Sequence, residues 1–143
     1  DSQNPASIKQ EQIDAWVAEG CVEQLRRVRH EQMPEIYKDA SIVCLPSYRE
    51  GLPKVLLEGA STGRPVVAFD VPGCRDIVID GQNGVLVPFG REDLLEDAIM
   101  SLLKDRRKRE QFGRNGRDLV CSEFSSDVIN EQTIKIWRSL VET

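Results

Sequence analysis

Apolar positions along the chain follow two periods. Ile8, Ile13, Trp16 and Val17 form a one-sided stripe that predicts a helix over Ser7–Glu19, with Ser7 as cap and Gly20 as stop. Cys21–Leu25 predicts a short strand. Met33, Ile36, Tyr37 and Ala40 recur at three-and-four spacing and predict a helix over Met33–Ala40. Ile42–Leu45 and Pro65–Phe69 are nearly continuous apolar runs, the pattern of buried parallel strands; for Ile42–Leu45 the expectation is cover on both faces. Between them, Pro53–Thr62 predicts a helix with proline at its first position and Gly63 at its end.

Further on, Val71–Asp76 is a loop with the makings of one helical turn. Asp80–Gly84 carries turn residues, and Val85–Val87 is a strand ended by Pro88. Arg91–Lys104 predicts an amphipathic helix with Leu94, Leu95, Ala98, Ile99, Leu102 and Leu103 inward. Two more helices are predicted over Asp105–Cys121 and Ser125–Val141. Their apolar sides are Phe112, Leu119 and Val120, then Val128, Ile129, Trp137 and Leu140. Trp16 and Trp137 are expected in the core or against another domain. About four short strands alternating with helices predict an α/β fold with a parallel sheet.

Composition adds bounds. The 143 residues fit one domain, and a net charge of −5 disfavours general binding to nucleic acid or anionic membranes. The basic runs Arg26–His30 and Arg106–Arg109 read first as solvated faces. Cys21, Cys44, Cys74 and Cys121 form no C-x-x-C pair, and each lies in or beside an apolar run. Buried reduced thiols are expected, rather than a zinc site or disulfides. No run is long and apolar enough to span a bilayer. No signal peptide or initiator methionine is visible, and the opening Asp1-Ser2-Gln3-Asn4-Pro5 fits a fragment or a processed form.

The candidate chemistry lies in SYREGLPKVLLEGASTGRPVV, Ser47 to Val67. In parallel sheets, ligands sit beyond the carboxyl ends of the strands, and Pro46–Leu52 is the loop leaving one. It feeds a helix start, where amides at Gly51, Leu52 and just past Pro53 can hold phosphate oxygens. Glu50 and Glu58 flank that start. Carboxylates repel phosphates but accept hydrogen bonds from hydroxyls. Hydroxyls at both ends and phosphates between describe a nucleotide-sugar. Two other readings stay open: a surface ion pair of Lys54 with Glu58 beside an exposed Glu50, and a glycosidase-type carboxylate pair. Tyr48, Arg49, Arg75 and Asp76 share this edge as ligand contacts or as loop residues, Arg75 and Asp76 as an ion pair. His30, the only histidine, reads as a loop residue.

SYREGLPKVLLEGASTGRPVVAFDVPGCRDIVIDGQNGVLVPFG resembles the donor-side half of family 4 glycosyltransferases. Glu50 and Glu58 match the family's E-x7-E hallmark. Leu45–Ser47, the E-G-L-P turn, the Gly-x-Pro-Val-Val strand and the D-G-x-N-G-x-L-V-P segment match its surroundings. The wording is most similar to the branch that builds bacterial capsule and lipid-linked polysaccharides. The resemblance implies a Rossmann-like, three-layer domain with C-terminal helices: part of the C-terminal domain of a GT-B fold. It implies a retaining enzyme needing no metal or other cofactor, in which Glu50 contacts the donor sugar and carries catalysis. Gly51, Leu52 and Lys54 would hold the diphosphate or sugar, and Glu58 the ribose. A glycan or lipid-linked acceptor would be bound by a separate N-terminal domain.

The same resemblance implies a cytoplasmic location, with the inner face of the plasma membrane as a peripheral site. In the family's strand order, 3-2-1-4-5-6, Ile42–Leu45 would be the fourth strand and Cys21–Leu25 the third. The first two strands, the glycine-rich loop and the basic diphosphate clamp have no counterpart in the chain. Either Cys21–Leu25 closes onto Ile42–Leu45, or a second copy covers the edge in a homodimer. The alternatives to an enzyme are a non-catalytic nucleotide-sugar-binding or interaction domain, and a fragment without ligand affinity.

Overall fold

The computed structural model describes residues 8–25 and 27–141. The predicted cap Ser7 and Arg26 of the first basic run lie outside them. The chain divides into two compact units, one up to Met33 and one from Pro34 onward.

The first unit holds α1 (Gln10–Ala18) and a 3-10 turn over His30–Gln32, which contains the single histidine. Gly20, at φ +74°, ends α1 as expected. Its amide bonds to Val17 O and the Cys21 amide to Trp16 O, closing the last carbonyls in a Schellman-type turn. Cys21–Leu25 corrects the sequence expectation, because no strand forms there. The segment is irregular, and Val22 and Leu25 are exposed. A strand needs a neighbour for its amides and carbonyls, and five residues of weak alternation do not supply one.

The second unit is an α/β fold with a three-stranded parallel sheet. It runs α2 (Met33–Asp39), β1 (Val43–Leu45), α3 (Lys54–Ser61), β2 (Val66–Phe69), α4 (Pro72–Arg75) and β3 (Gly84–Val87). Three helices follow: α5 (Glu92–Lys104), α6 (Arg106–Glu123) and α7 (Ser126–Val141). The strand order is β1-β2-β3, with Val43 opposite Val66 and Val67 opposite Val85. All four residues of β2 are buried, and with Leu56, Ile77, Val78, Leu102 and Phe112 they make the core. α3 packs on β1 and α6, while α5 packs on β2, β3 and α6.

Several expectations are corrected here. β1 is an edge strand covered on one face only: Val43 is buried, but Cys44 is exposed. Of the four free thiols only Cys74 is buried. Leu103 is 47% exposed, since only Leu102 of α5 reaches full burial. Trp137 is 70% exposed and α7 has no buried residue, so the core role does not hold for it. Trp16 is half-buried.

Candidate functional site

The loop between β1 and α3 lies where the sequence places it, at the carboxyl end of the sheet. Pro53 precedes α3, and the first helical bonds run from Leu56 N and Leu57 N to Pro53 O. No side chain caps this start, and the first turn carries no acidic residue. The leading amides and the positive end of the helix dipole therefore remain available to an anion. Glu50 is half-buried at the loop's end; Gly51, Leu52 and Lys54 are exposed beside it; Glu58 is half-buried one turn into α3.

Two supports of this loop escaped sequence reasoning. Gly73 of α4 lies against its backbone: a Cβ there would stand 2.1 Å from Gly51 O and 2.6 Å from Glu50 O. Only glycine allows that approach, and it locks the carbonyls of the two loop residues against α4. The VPGCRD segment offered a signal in its glycine, but the partner is some twenty residues away and belongs to tertiary structure. The second support is Tyr37, which the sequence assigns to an apolar stripe. It is 6% exposed, and its hydroxyl donates to Glu58 Oε2 at 3.0 Å. Burial first, and then the bond to the Glu58 carboxylate, push the phenol up to about 12. Tyr37 thus stays a neutral donor and holds the Glu58 carboxylate in one orientation.

Beneath the loop, burial raises the Cys74 thiol, and the Glu50 and Asp70 carboxylates add to the shift. Cys74 is accordingly an unreactive packing group. Arg75 pairs with Asp70 (Nε to Oδ1, 2.5 Å) instead of its sequence neighbour Asp76, which corrects the pairing expected above. Tyr48, Phe69 and Phe89, one from the end of each strand, form an aromatic cluster with centroids 5.1–6.3 Å apart. Phe69 is buried, whereas Tyr48 and Phe89 are 58% and 57% exposed at the ligand edge. Among the described residues, no group of three or more His, Cys, Asp or Glu side chains is arranged to hold a metal ion.

With this geometry in view, comparison with known proteins is informative. The family model for glycosyl transferases group 1 matches residues 8–119. The chain is 34% identical over 111 residues to the alpha-D-kanosaminyltransferase of Streptomyces kanamyceticus, covering 78% of this chain and 29% of that protein. It is 29% identical to the capsular polysaccharide biosynthesis glycosyltransferase CapM of Staphylococcus aureus, covering 80% of this chain and 30% of CapM. Sucrose-phosphate synthase (tll1590) from Thermosynechococcus elongatus shares the fold at a TM-score of 0.86 and 29% identity, over 99% of this chain and 37% of that one. The chain therefore spans about a third of the length of the proteins it matches. Matched over most of its own length, the chain belongs to the glycosyl transferases group 1 family.

Proposed function

We propose that the chain supplies the donor half of a retaining, family 4 glycosyltransferase. The observation that carries this reading is the uncapped start of α3, entered from a loop that Gly73 pins and bracketed by Glu50 and by the Tyr37-held Glu58. The diphosphate lies at the helix start, on the amides of Gly51 and Leu52, with Lys54 adding positive charge. Glu58 accepts the ribose hydroxyls. Glu50 accepts hydroxyls of the transferred sugar and orients its anomeric carbon. The helix dipole stabilises the negative charge that develops on the leaving diphosphate, so no metal is needed.

Acceptor binding and the remaining diphosphate contacts come from other parts of a longer protein. The likeness to CapM supports capsule or lipid-linked polysaccharide as the product class. No helix among the described residues is long and apolar enough to cross a membrane. The reading places the work in the cytoplasm, at the inner membrane face when the acceptor is lipid-linked. The open face of β1 and the exposed apolar side of α7 support self-association into a homodimer. Sedimentation velocity over a dilution series tests the dimer, which a persistent monomer would sink.

The donor reading is tested by calorimetric titration with uridine and guanosine diphosphates and their sugars. Saturable binding that weakens in Glu58→Gln supports it, and wild-type affinity in that variant refutes it. Without its acceptor half the chain is expected to bind donor but transfer no sugar; measurable transfer by the purified chain contradicts this division of labour.

A further inference from the structure

At the opposite end of the sheet lies a cavity of about 220 Å³, lined by Ser41, Arg64, Arg106, Arg109 and Glu110, among others. Ser41 precedes β1 and Arg64 precedes β2, so the cavity sits at the amino ends of the strands, apart from the donor loop. Its lining carries three arginines and one glutamate, in a chain whose net charge is −5. Arg106 Nε is paired with Glu110 at 2.7 Å. Arg109 Nη1 donates to the carbonyls of Leu102 and Leu103, both at 2.6 Å, which anchors its guanidinium on the end of α5.

Arg64 differs. Its Nε is buried and, among the described residues, has no hydrogen-bond partner. A buried charged donor without an acceptor is costly, and a turn of the Arg64 guanidinium towards an anion in the cavity would remove that cost. The backbone holds Arg64 in place firmly. Gly113 of α6 sits on the Gly63–Arg64 turn so closely that a Cβ would stand 2.0 Å from Gly63 O. That contact fixes the turn one helical turn along α6 from Arg109 and Glu110.

We infer that this arginine-lined cavity is a second ligand site, for a small phosphate monoester. Guanidinium forks match phosphate oxygens, and a dianion best balances three cations against one carboxylate. The volume is below the roughly 300–1,000 Å³ of drug-sized pockets. It therefore suits a phosphate with a small substituent and excludes a whole nucleotide. The site is independent of the donor reading and shares no residue with it.

The test follows the backbone amide resonances of Gly63 and Glu110, which line the cavity and persist in every Arg64 variant, by NMR while the chain is titrated with methyl phosphate, at ionic strength held constant with sodium chloride. A saturable shift is expected, with affinity roughly tenfold weaker in Arg64→Met, the loss of a charge-assisted bond. Arg64→Lys keeps the charge but loses the fork, and is expected to bind more weakly than wild type. It serves as the decisive variant if Arg64→Met does not fold. Glu58→Gln should leave this titration unchanged, which separates the outcome from that at the donor loop. No saturable shift, or unchanged affinity in the Arg64 variants, overturns the site. Saturation by inorganic phosphate but not by methyl phosphate overturns the monoester.

Discussion

Gly73 and Gly113 perform the same packing task at opposite ends of the sheet, with different consequences. Each lies against a backbone carbonyl at a distance that forbids a side chain: Gly51 O for Gly73 and Gly63 O for Gly113. Gly73 belongs to α4, a single turn of four residues, and pins a loop whose side chains stay exposed or half-buried. Gly113 lies inside α6, an 18-residue helix, and presses on the turn between α3 and the fully buried β2. A close contact between long elements transmits strain into the core, whereas one that pins a short loop transmits it into the site. The expectation is that strain at Gly73 falls on the loop and strain at Gly113 falls on the packing of α6 against the α3–β2 turn.

The largest effect should therefore come from Gly113→Ala. A methyl group would meet a carbonyl that cannot swing away, and α6 would have to lift from α3. A loss of about 3 kcal/mol is expected from urea unfolding, near the top of the overpacking range. Donor binding by the molecules that remain folded should be unchanged. Glu58→Gln reverses the pattern: unfolding stays close to wild type, while donor binding falls by about 2 kcal/mol through lost charge-assisted hydrogen bonds. Calorimetry and unfolding measured on one preparation show whether the two effects separate in this way. If Gly113→Ala unfolds like wild type, the contrast between the two glycines fails.

Gly73→Ala should fall between them in kind. α4 can shift with its loop, so about 1 kcal/mol of stability is expected to go, accompanied by a clear loss of donor affinity as Glu50 and Gly51 move. Intact affinity in this variant would show that α4 does not position the loop. Tyr37→Phe is comparable, about 0.5–1.5 kcal/mol in stability for one hydrogen bond, with a weaker donor complex because Glu58 loses this donor.

A last effect is one of pH. Tyr37 holds its proton up to about 12 in the folded chain, against 10.0 for an ordinary tyrosine. Between these values the folded state binds the additional proton, so this contribution to stability is complete below pH 10 and is lost as pH rises towards 12. Unfolding measured across that range should show the decline, and Tyr37→Phe should flatten it.

Hydrophobic period alone determined most of the elements. Helices α1, α2, α3, α5, α6 and α7, and the three strands that form, lie within a few residues of their expected positions. The period is a local property, imposed on each segment by the need to turn one side inward. The turn chemistry at Gly20 and around Pro53 was equally legible, and so were the placement of Glu50 and Glu58 at the carboxyl edge and the coarser kinship with glycosyl transferases group 1. What period cannot encode is the neighbour. Cys21–Leu25 has a strand-like pattern but finds no ladder, and Cys44 lies in an apolar run yet faces solvent because β1 is an edge. Trp137 lies on an apolar stripe with nothing described to cover it. Tyr37 reads as one more apolar position until folding sets its hydroxyl on Glu58, and Gly73 and Gly113 read as ordinary glycines until a distant carbonyl arrives over each. Only tertiary structure decided these, because burial, pairing and close approach belong to two segments at once, and the second is separated from the first by the rest of the fold.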